Sequence, residues 1–315
     1  MIDILFIKTS SLGDVVHHMP AVTDAHKALP EARLTWLVEE AFAPLVRLHP
    51  AVSEVIPVAW RRWRGSLYAP ATLGEIVRSL RVVRARRYDA IVDSQGLLRS
   101  AVLARLARGL RHGYDAASIR EPLAARLYDR RHAVGRERHA VDRNRALSGL
   151  ALGYVPQGEP DFGLDRARLA PPQARYAVLL HATARADKEW PEGHWIALGQ
   201  ALAARGLALV LPWGTAEERA RSERIAAALP RARVPERAPL DEVARLIAGA
   251  HLAVGVDTGL THLAAALGVP LVAIFAGSDP HLTGPVGRGP VAVLGAKGRA
   301  PALAEVAQAA VGLAV

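Results

Sequence analysis

Two loops hold the residues whose types and spacing suit chemistry. The first is Lys8-Thr9-Ser10-Ser11-Leu12-Gly13-Asp14, which follows the apolar run Ile2-Asp3-Ile4-Leu5-Phe6-Ile7. A carboxylate presented by a flexible Ser-Ser-Leu-Gly turn is suited to take a proton from a hydroxyl, and equally to cap a helix that begins at Val15. The second is Asp257-Thr258-Gly259-Leu260-Thr261-His262, which follows Leu252-Ala253-Val254-Gly255-Val256. The amides of Thr258 and Gly259 open a helix there, where unpaired N–H groups favour phosphate and the missing Cβ permits close approach. No G-x-G-x-x-G follows a first strand in Lys8 to Asp14 or in His181 to Lys188, which argues against a dinucleotide-binding enzyme. No D-x-D sequence is present and the histidines lack zinc-ligand spacing, so no metal is expected; His17-His18 reads as a feature of a helix start.

Both loops need strands to carry them, and apolar runs of strand length alternate with helical patterns throughout. In the first half the expected strands are Ile2 to Lys8, Arg33 to Val38, Glu54 to Val58 and Tyr88 to Ser94, with helices at Val15 to Leu29, Leu73 to Arg87 and Leu97 to Arg108. A second series begins at Tyr176 to His181, continues through Leu207 to Leu211, Leu252 to Val256 and Leu271 to Phe275, and closes with a helix from Ala302 to Leu313. This alternation predicts an α/β protein of two doubly wound, Rossmann-like domains. The proline-rich stretch from Tyr154 to Pro172 separates them, giving domains at 1–155 and 176–315, a linker at 156–175 and a last helix free to pack back on the first domain. Ligands of open α/β sheets bind outside the carboxyl ends of the strands, so one such edge in each half predicts two domains facing across a cleft.

The composition bounds the setting. With 315 residues and 51% hydrophobic content the chain can bury a large core, and disorder is excluded. The absence of cysteine rules out disulfides and thiolate metal sites, and the start Met-Ile-Asp-Ile-Leu-Phe lacks the basic region of a signal peptide, so a cytoplasmic protein is expected. No apolar stretch approaches the roughly 20 residues of a spanning helix. The net charge of +10 is placed unevenly: residues 1–150 hold 24 Lys and Arg against 15 Asp and Glu, and the remainder 16 against 15. A basic first half predicts a polyanionic partner for the first domain, whether nucleic acid, anionic lipid or an acidic glycolipid.

Ten segments, in order along the chain, resemble one family. They are Lys8 to Asp14, Trp36-Leu-Val-Glu-Glu40, Val55 to Arg64, Asp93-Ser-Gln-Gly-Leu97, Arg120-Glu-Pro-Leu-Ala124, Arg138 to Val141, His181-Ala-Thr183, Asp187-Lys-Glu-Trp-Pro191, Leu211-Pro-Trp-Gly214 and Val256 to His262. The chain resembles the lipopolysaccharide heptosyltransferases of glycosyltransferase family nine, and the heptosyltransferase I branch in particular. The resemblance implies a GT-B fold and an inverting transfer of L-glycero-D-manno-heptose from ADP-heptose, a substrate rather than a cofactor, to the Kdo (3-deoxy-octulosonic acid) of Kdo-lipid A.

Such a transfer needs a base on the acceptor hydroxyl and a cation on the departing diphosphate. With the resemblance, Asp14 is favoured as the base, and Lys188, one of only four lysines, is the counter-charge. Thr183 and the Ala184 backbone are expected at phosphate or ribose oxygens, Ala184 standing where the family often has a second Thr. Thr258 and Gly259 would meet the pyrophosphate, and Asp257 and His262 the sugar or phosphates, with capping and core packing as their structural alternatives. The family places a glutamate on the nucleoside, assigned here to Glu218 over Glu217, with Ala238 near the adenine. Acceptor anions are assigned to Arg61, Arg62, Arg64, Arg120 and His139, since guanidinium forks match carboxylate and phosphate. The implied setting is a monomer, peripheral on the anionic cytoplasmic face of the bacterial inner membrane, with no nucleic-acid partner.

Three rivals stand beside this reading. A sugar-nucleotide epimerase would explain the loops but not the one-sided charge. A nucleic-acid-binding module would explain the charge alone. Heptosyltransferase II is the near rival, and Arg61-Arg62-Trp63-Arg64 with Arg120-Glu121-Pro122 favours the first enzyme.

Overall fold

The apolar runs that bracket the two loops are central strands of two parallel sheets in the computed structural model, which describes residues 2–66, 68–169 and 175–314. The chain divides into two units, Met1–Gly163 and Leu164–Val315. The first unit runs β1 (Asp3–Ile7), α1 (Leu12–Ala28), β2 (Arg33–Glu39), α2 (Ala43–Val46), β3 (Glu54–Val58), α3 (Trp60–Trp63), α4 (Pro70–Arg84), β4 (Arg87–Asp93), α5 (Leu98–Leu106), β5 (Arg108–Tyr114), β6 (Arg130–His132) and α6 (Ala140–Leu152). The second runs α7 (Arg166–Leu169), β7 (Tyr176–Leu180), α8 (Glu192–Ala203), β8 (Ala208–Val210), α9 (Ala216–Ala227), β9 (Ala232–Arg233), α10 (Leu240–Ala248), β10 (Leu252–Val256), α11 (Gly259–Ala266), β11 (Leu271–Phe275), α12 (Pro280–Thr283), β12 (Val291–Gly295) and α13 (Leu303–Leu313).

The two sheets share one topology. The first is ordered β3-β2-β1-β4-β5-β6 and the second, read from its other edge, β9-β8-β7-β10-β11-β12. Each order reverses once, between β1 and β4 and between β7 and β10. There the crossovers leave for opposite sides and open a crevice at the carboxyl ends of the central strands. Strands covered on both faces must be apolar without alternation, and Ile4 to Ile7 and all of β10 and β11 are buried accordingly. Strands β5, β6, β9 and β12 are not anticipated in the sequence. They lie at or next to the sheet edges, where Arg108-Gly-Leu-Arg-His-Gly-Tyr114 carries no continuous apolar run.

Helix α1 begins at Leu12, three residues ahead of the start expected at Val15, because Ser11 is its N-cap. It packs along α6, and Asn144 Nδ2 donates to the His17 carbonyl at 3.0 Å, next to the carbonyl that Pro20 leaves without its helical donor. Arg145 of α6 is buried against Asp24 of α1, at 2.7 Å from Oδ2, and also donates to the carbonyls of Gln157 and Gly158. The segment read as a linker is therefore anchored at its start: Lys27 reaches Asp161 at 2.7 Å. At α7, Arg166 donates to the carbonyls of Ala248, Ala250 and Gly268. The remainder of that stretch, residues 170–174 with Pro171 and Pro172, lies outside the described residues. In the second unit Trp190 and Trp195 meet edge to face at 5.3 Å inside the core, and α13 packs on α8 and β11.

Breaking a buried ion pair from one side strands a charge, at a cost of about 3–5 kcal/mol. Asp24→Ala is expected to lose stability of that order in urea unfolding, while Asp24→Leu with Arg145→Met recovers most of it; equal losses in the single and double variants would contradict this account.

Candidate active site

Above the first sheet, the loop after β1 is held by the loop after β4. Gln95 Oε1 accepts from the Thr9 and Ser10 amides at 2.9 and 3.0 Å, and Lys8 Nζ donates to the Ser94 carbonyl at 2.9 Å. Lys8 is buried; burial lowers its pKa, and Asp14 and Asp93 oppose that by favouring its charge. Asp93 is fully buried and its pKa is raised by burial, offset by hydrogen bonds that include Tyr128 Oη at 2.7 Å and the Gln95 amide at 2.9 Å. His18 donates or accepts at Ser94 Oγ (3.1 Å), and burial followed by the Lys8 charge pushes its pKa well down, so its ring stays neutral. His17 and His18 lie in the second turn of α1 as buried packing groups rather than at its start.

Asp14 occupies the third position of α1. Its Oδ2 accepts from the Ser11 amide at 2.7 Å and the Ser11 hydroxyl at 3.0 Å, and among the described residues Oδ1 accepts nothing. It caps by reaching back, not as the N-cap residue itself. Arg99 Nη2 donates to Ser10 Oγ at 2.8 Å, and Arg99 lines a cavity of about 270 Å³ with Thr9, Ser10, Glu39, Arg61 and Arg64. Glu39 is buried there, its pKa raised by burial against the bond it accepts from the Arg61 amide at 3.1 Å. The cavity thus joins a protonatable carboxyl and three guanidinium groups to the turn that carries Asp14.

The arginines expected at the acceptor separate by environment. Arg61 and Arg64 line this cavity, and the Arg61 guanidinium stands 5.1 Å over Phe42. Arg62 does not line it; it pairs with Glu40 at 3.1 Å and Glu75 at 2.8 Å on the surface. Arg120 is exposed beside Gly96, whose positive φ of 68° forms the turn after Gln95. His139 is the N-cap of α6, Nδ1 accepting from the Val141 amide at 3.2 Å, and its ring packs edge-on to His17. Arg143 lies over the Tyr114 ring at 4.8 Å and acts electrostatically on Lys8. Gln95, Glu39, Arg99 and Arg143 are not singled out by the sequence. The Asp93-Ser-Gln-Gly turn at a strand end, quoted above only for its resemblance, is the signal that could have pointed to the first.

In the second unit a single carboxylate gathers the site. Asp257 Oδ2 is 2.6 Å from Lys188 Nζ and accepts from Ser278 Oγ; its Oδ1 is 3.3 Å from His262 Nε2. Thr183 Oγ1 donates to the Asp257 carbonyl at 3.2 Å, tying the loop after β7 to the loop after β10. Burial acts against the Asp257 charge, yet the bonds from His262, Lys188 and Ser278 outweigh it and hold the carboxyl well below its ordinary range. Thr258 is the N-cap of α11 and Gly259 its first residue, and Ala184 is exposed in the β7 loop. Ser278 is a further member, in the Gly277-Ser278 turn after the buried β11.

Glu218 is spent locally. Its Oε2 accepts from the amides of Gly214 (2.7 Å) and Thr215 (3.2 Å), capping α9. A neighbouring cavity of about 310 Å³ is lined by Trp213, Arg237, Ala238 and Glu242, and by neither Glu217 nor Glu218. Among the described residues no group of three or more His, Cys, Asp or Glu side chains is arranged to hold a metal ion.

A model of glycosyltransferase family 9 (heptosyltransferase) matches residues 76–310. The chain is 45% identical to lipopolysaccharide heptosyltransferase 1 of Salmonella typhimurium over 92% of its length and 93% of that protein. It superposes on E. coli heptosyltransferase WaaC with ADP-2-deoxy-2-fluoro heptose at a TM-score of 0.87 and 41% identity, covering 98% of this chain and 97% of the other. Lipopolysaccharide heptosyltransferase 2 of E. coli K12 is 27% identical over 90% of this chain and 85% of its own. The fold class read from the sequence, an α/β GT-B protein of two doubly wound units, holds.

The Asp257 environment has a pH consequence. A carboxyl depressed below its ordinary value of 3.8 contributes stability that is fully present above that pH and lost as pH falls beneath it. Asp257→Asn is expected to lower stability at neutral pH and to flatten the acid limb of unfolding followed by circular dichroism. A variant with the wild-type acid limb would show that the three donors do not stabilise the ionised form.

Proposed function

The chain belongs to glycosyltransferase family 9, and from that premise we propose that it moves L-glycero-D-manno-heptose from ADP-heptose to a Kdo residue of Kdo-lipid A, with inversion, in lipopolysaccharide inner-core synthesis. The observation that carries this reading is the near-complete match to a heptosyltransferase 1, far above the match to a heptosyltransferase 2. The site chemistry agrees with it. As the acceptor hydroxyl attacks the anomeric carbon, Asp14 Oδ1 takes its proton, the bond to the ADP oxygen breaks, and negative charge grows on the diphosphate. Lys188 and the amides at the start of α11 receive that charge. Asp257 stays ionised through its bonds from His262 and Ser278 when the ammonium turns to phosphate.

Arg61, Arg64 and Arg99 hold the acceptor's anions in the cavity beside Ser10, with Arg120 at the neighbouring turn. Arg62 and His139 act through structure, the one in a surface ion-pair network and the other as a helix cap. Trp213 and Ala238 offer a flat apolar wall for the nucleoside base. The enzyme works as a monomer at the cytoplasmic face of the bacterial inner membrane. The association we propose is peripheral, through the basic first unit; among the described residues no helix is long and apolar enough to cross a membrane.

Incubation with ADP-heptose and Kdo-lipid A is expected to release ADP and add the mass of one heptose to the acceptor. Asp14→Asn keeps an oxygen for the Ser11 cap but cannot take a proton; it should reduce kcat by about 10²–10⁴-fold with donor affinity unchanged. Retention of more than about a tenth of wild-type kcat would remove Asp14 from the base role.

Arg61→Ser and Arg64→Ser are each expected to raise the acceptor KM by about tenfold or more, as the loss of a charge-assisted hydrogen bond does, while Arg62→Ser changes it little. Equal effects from all three would assign the effect to general surface charge.

A further inference from the structure

Among the described residues of the first unit, helices α4 and α5 turn an apolar face toward an open cavity. Ile76, Leu80 and Val83 recur at helical spacing on α4, and Leu98, Val102 and Leu106 on α5; with Trp60 of α3 the two stripes line an open cavity of about 450 Å³. Leu98 and Val102 are each 44% exposed, and Leu73 and Val77 on the α4 rim are 51% and 45% exposed. Continuous apolar surface of this kind marks a docking site rather than ordinary scatter.

The charge around the cavity identifies the occupant. Arg99 lines it, Arg61 and Arg64 line the adjoining cavity, and the stretch 60–108 that supplies both helices carries eleven arginines against Glu75, Asp89 and the fully buried Asp93. Arg62 is paired with Glu40 and Glu75 and Arg86 with Asp3 and Glu54, and an excess of positive charge is left. A second copy of the chain meeting the first through this face would bring two such excesses together, and like charge opposes that. A nucleic-acid backbone would use the arginines and leave the apolar cavity empty. An anionic bilayer uses both: guanidinium groups at the headgroups, Leu98, Val102, Leu73 and Val77 below them, and Trp60 at the level between. The apolar cavity also shares Val58, Trp60, Arg99 and Leu103 with the cavity that holds Thr9, Ser10, Arg61 and Arg64. A membrane on this face therefore brings lipid headgroups to the mouth of the acceptor site.

We infer that the α4–α5 face, with Trp60, is the membrane-docking surface, inserting its apolar side chains into the headgroup boundary of an anionic bilayer so that the acceptor cavity opens at headgroup level. The inference rests on the glycolipid reading above and specifies where the membrane lies.

The test is sedimentation with vesicles of phosphatidylcholine and phosphatidylglycerol in roughly equal parts, against phosphatidylcholine alone. The protein should bind the anionic vesicles, and a measurable part of that binding should persist at about 0.5 M salt, where surface charge is largely screened. Leu98→Ser with Val102→Ser, both at exposed positions, should weaken binding by about tenfold or more while Tm and transfer to a soluble, deacylated acceptor stay at wild-type levels. Trp60→Phe should remove a vesicle-induced blue shift in tryptophan emission. No vesicle binding, binding lost entirely at high salt, or a double variant that binds like wild type would each overturn the inference, as would preferential binding of an acidic amphipathic peptide over vesicles. Absence of heptose transfer by a wild-type protein that still binds vesicles would instead overturn the glycosyltransferase reading and leave the docking face standing.

Discussion

In each unit one loop at the reversal of strand order holds the other by direct hydrogen bonds, and the functional groups depend on that bond. Parallel strands leave their last backbone groups pointing into the crevice without ladder partners. In the first unit Gln95 supplies an acceptor for two of those amides and the Lys8 ammonium takes the Ser94 carbonyl. In the second unit Thr183 and Lys188 do the corresponding work on Asp257, at its carbonyl and its carboxylate. Asp14 stands where it does because the preceding turn is fixed from β4, and the start of α11 because its leading residue is fixed from β7.

These ties involve buried charge, and burial sets their terms. An ammonium or carboxylate taken from water loses several kcal/mol of solvation unless hydrogen bonds replace it. Lys8 is offset by Asp14, Asp93 and a carbonyl, Asp257 by three donors, and Asp93 by Tyr128 and backbone amides. The neutral His18 ring fills the space beneath the first turn without adding a further positive charge beside Lys8. Such clusters hold side chains in one geometry before substrate arrives, which is what electrostatic preorganisation requires.

The sequence is most legible where burial is complete. Strands β1, β10 and β11 read from their apolar runs because both faces are covered, and the loops that follow them read from their Gly, Ser, Thr and Asp content. Strands β5, β6 and β9 do not read, since strands at or beside a half-solvated sheet edge tolerate arginine and histidine. Site residues contributed by a neighbouring strand's loop are also hidden: Gln95 lies 86 residues from Thr9, and Ser278 lies 21 residues from Asp257. Only the strand order brings them together. The arginines are the hardest case, because Arg61, Arg62 and Arg64 look alike in sequence and differ only in whether Glu40 and Glu75 are within reach.

The reading of Asp14 turns on helix position. Capping and base catalysis present themselves in the sequence as alternatives, since an N-cap carboxylate at the start of a helix at Val15 would be turned toward the helix's own amides. Moving the start to Leu12 changes the geometry. From the third helical position the side chain reaches back to Ser11 with one oxygen, which fixes its rotamer, and the other oxygen has no donor among the described residues. A general base needs both properties, a fixed direction and an open lone pair, and a flexible surface aspartate offers only the second. On the proposed reading the cap is therefore the device that orients the base. Glu218, which also stands at the third position of its helix, offers the contrast: its reach-back bonds run to Gly214 and Thr215, outside the lining of the cavity beside it. The same local motif stands at a strand-order reversal in the first unit, where the proposed chemistry uses it, and away from one in the second, where it only caps the helix start.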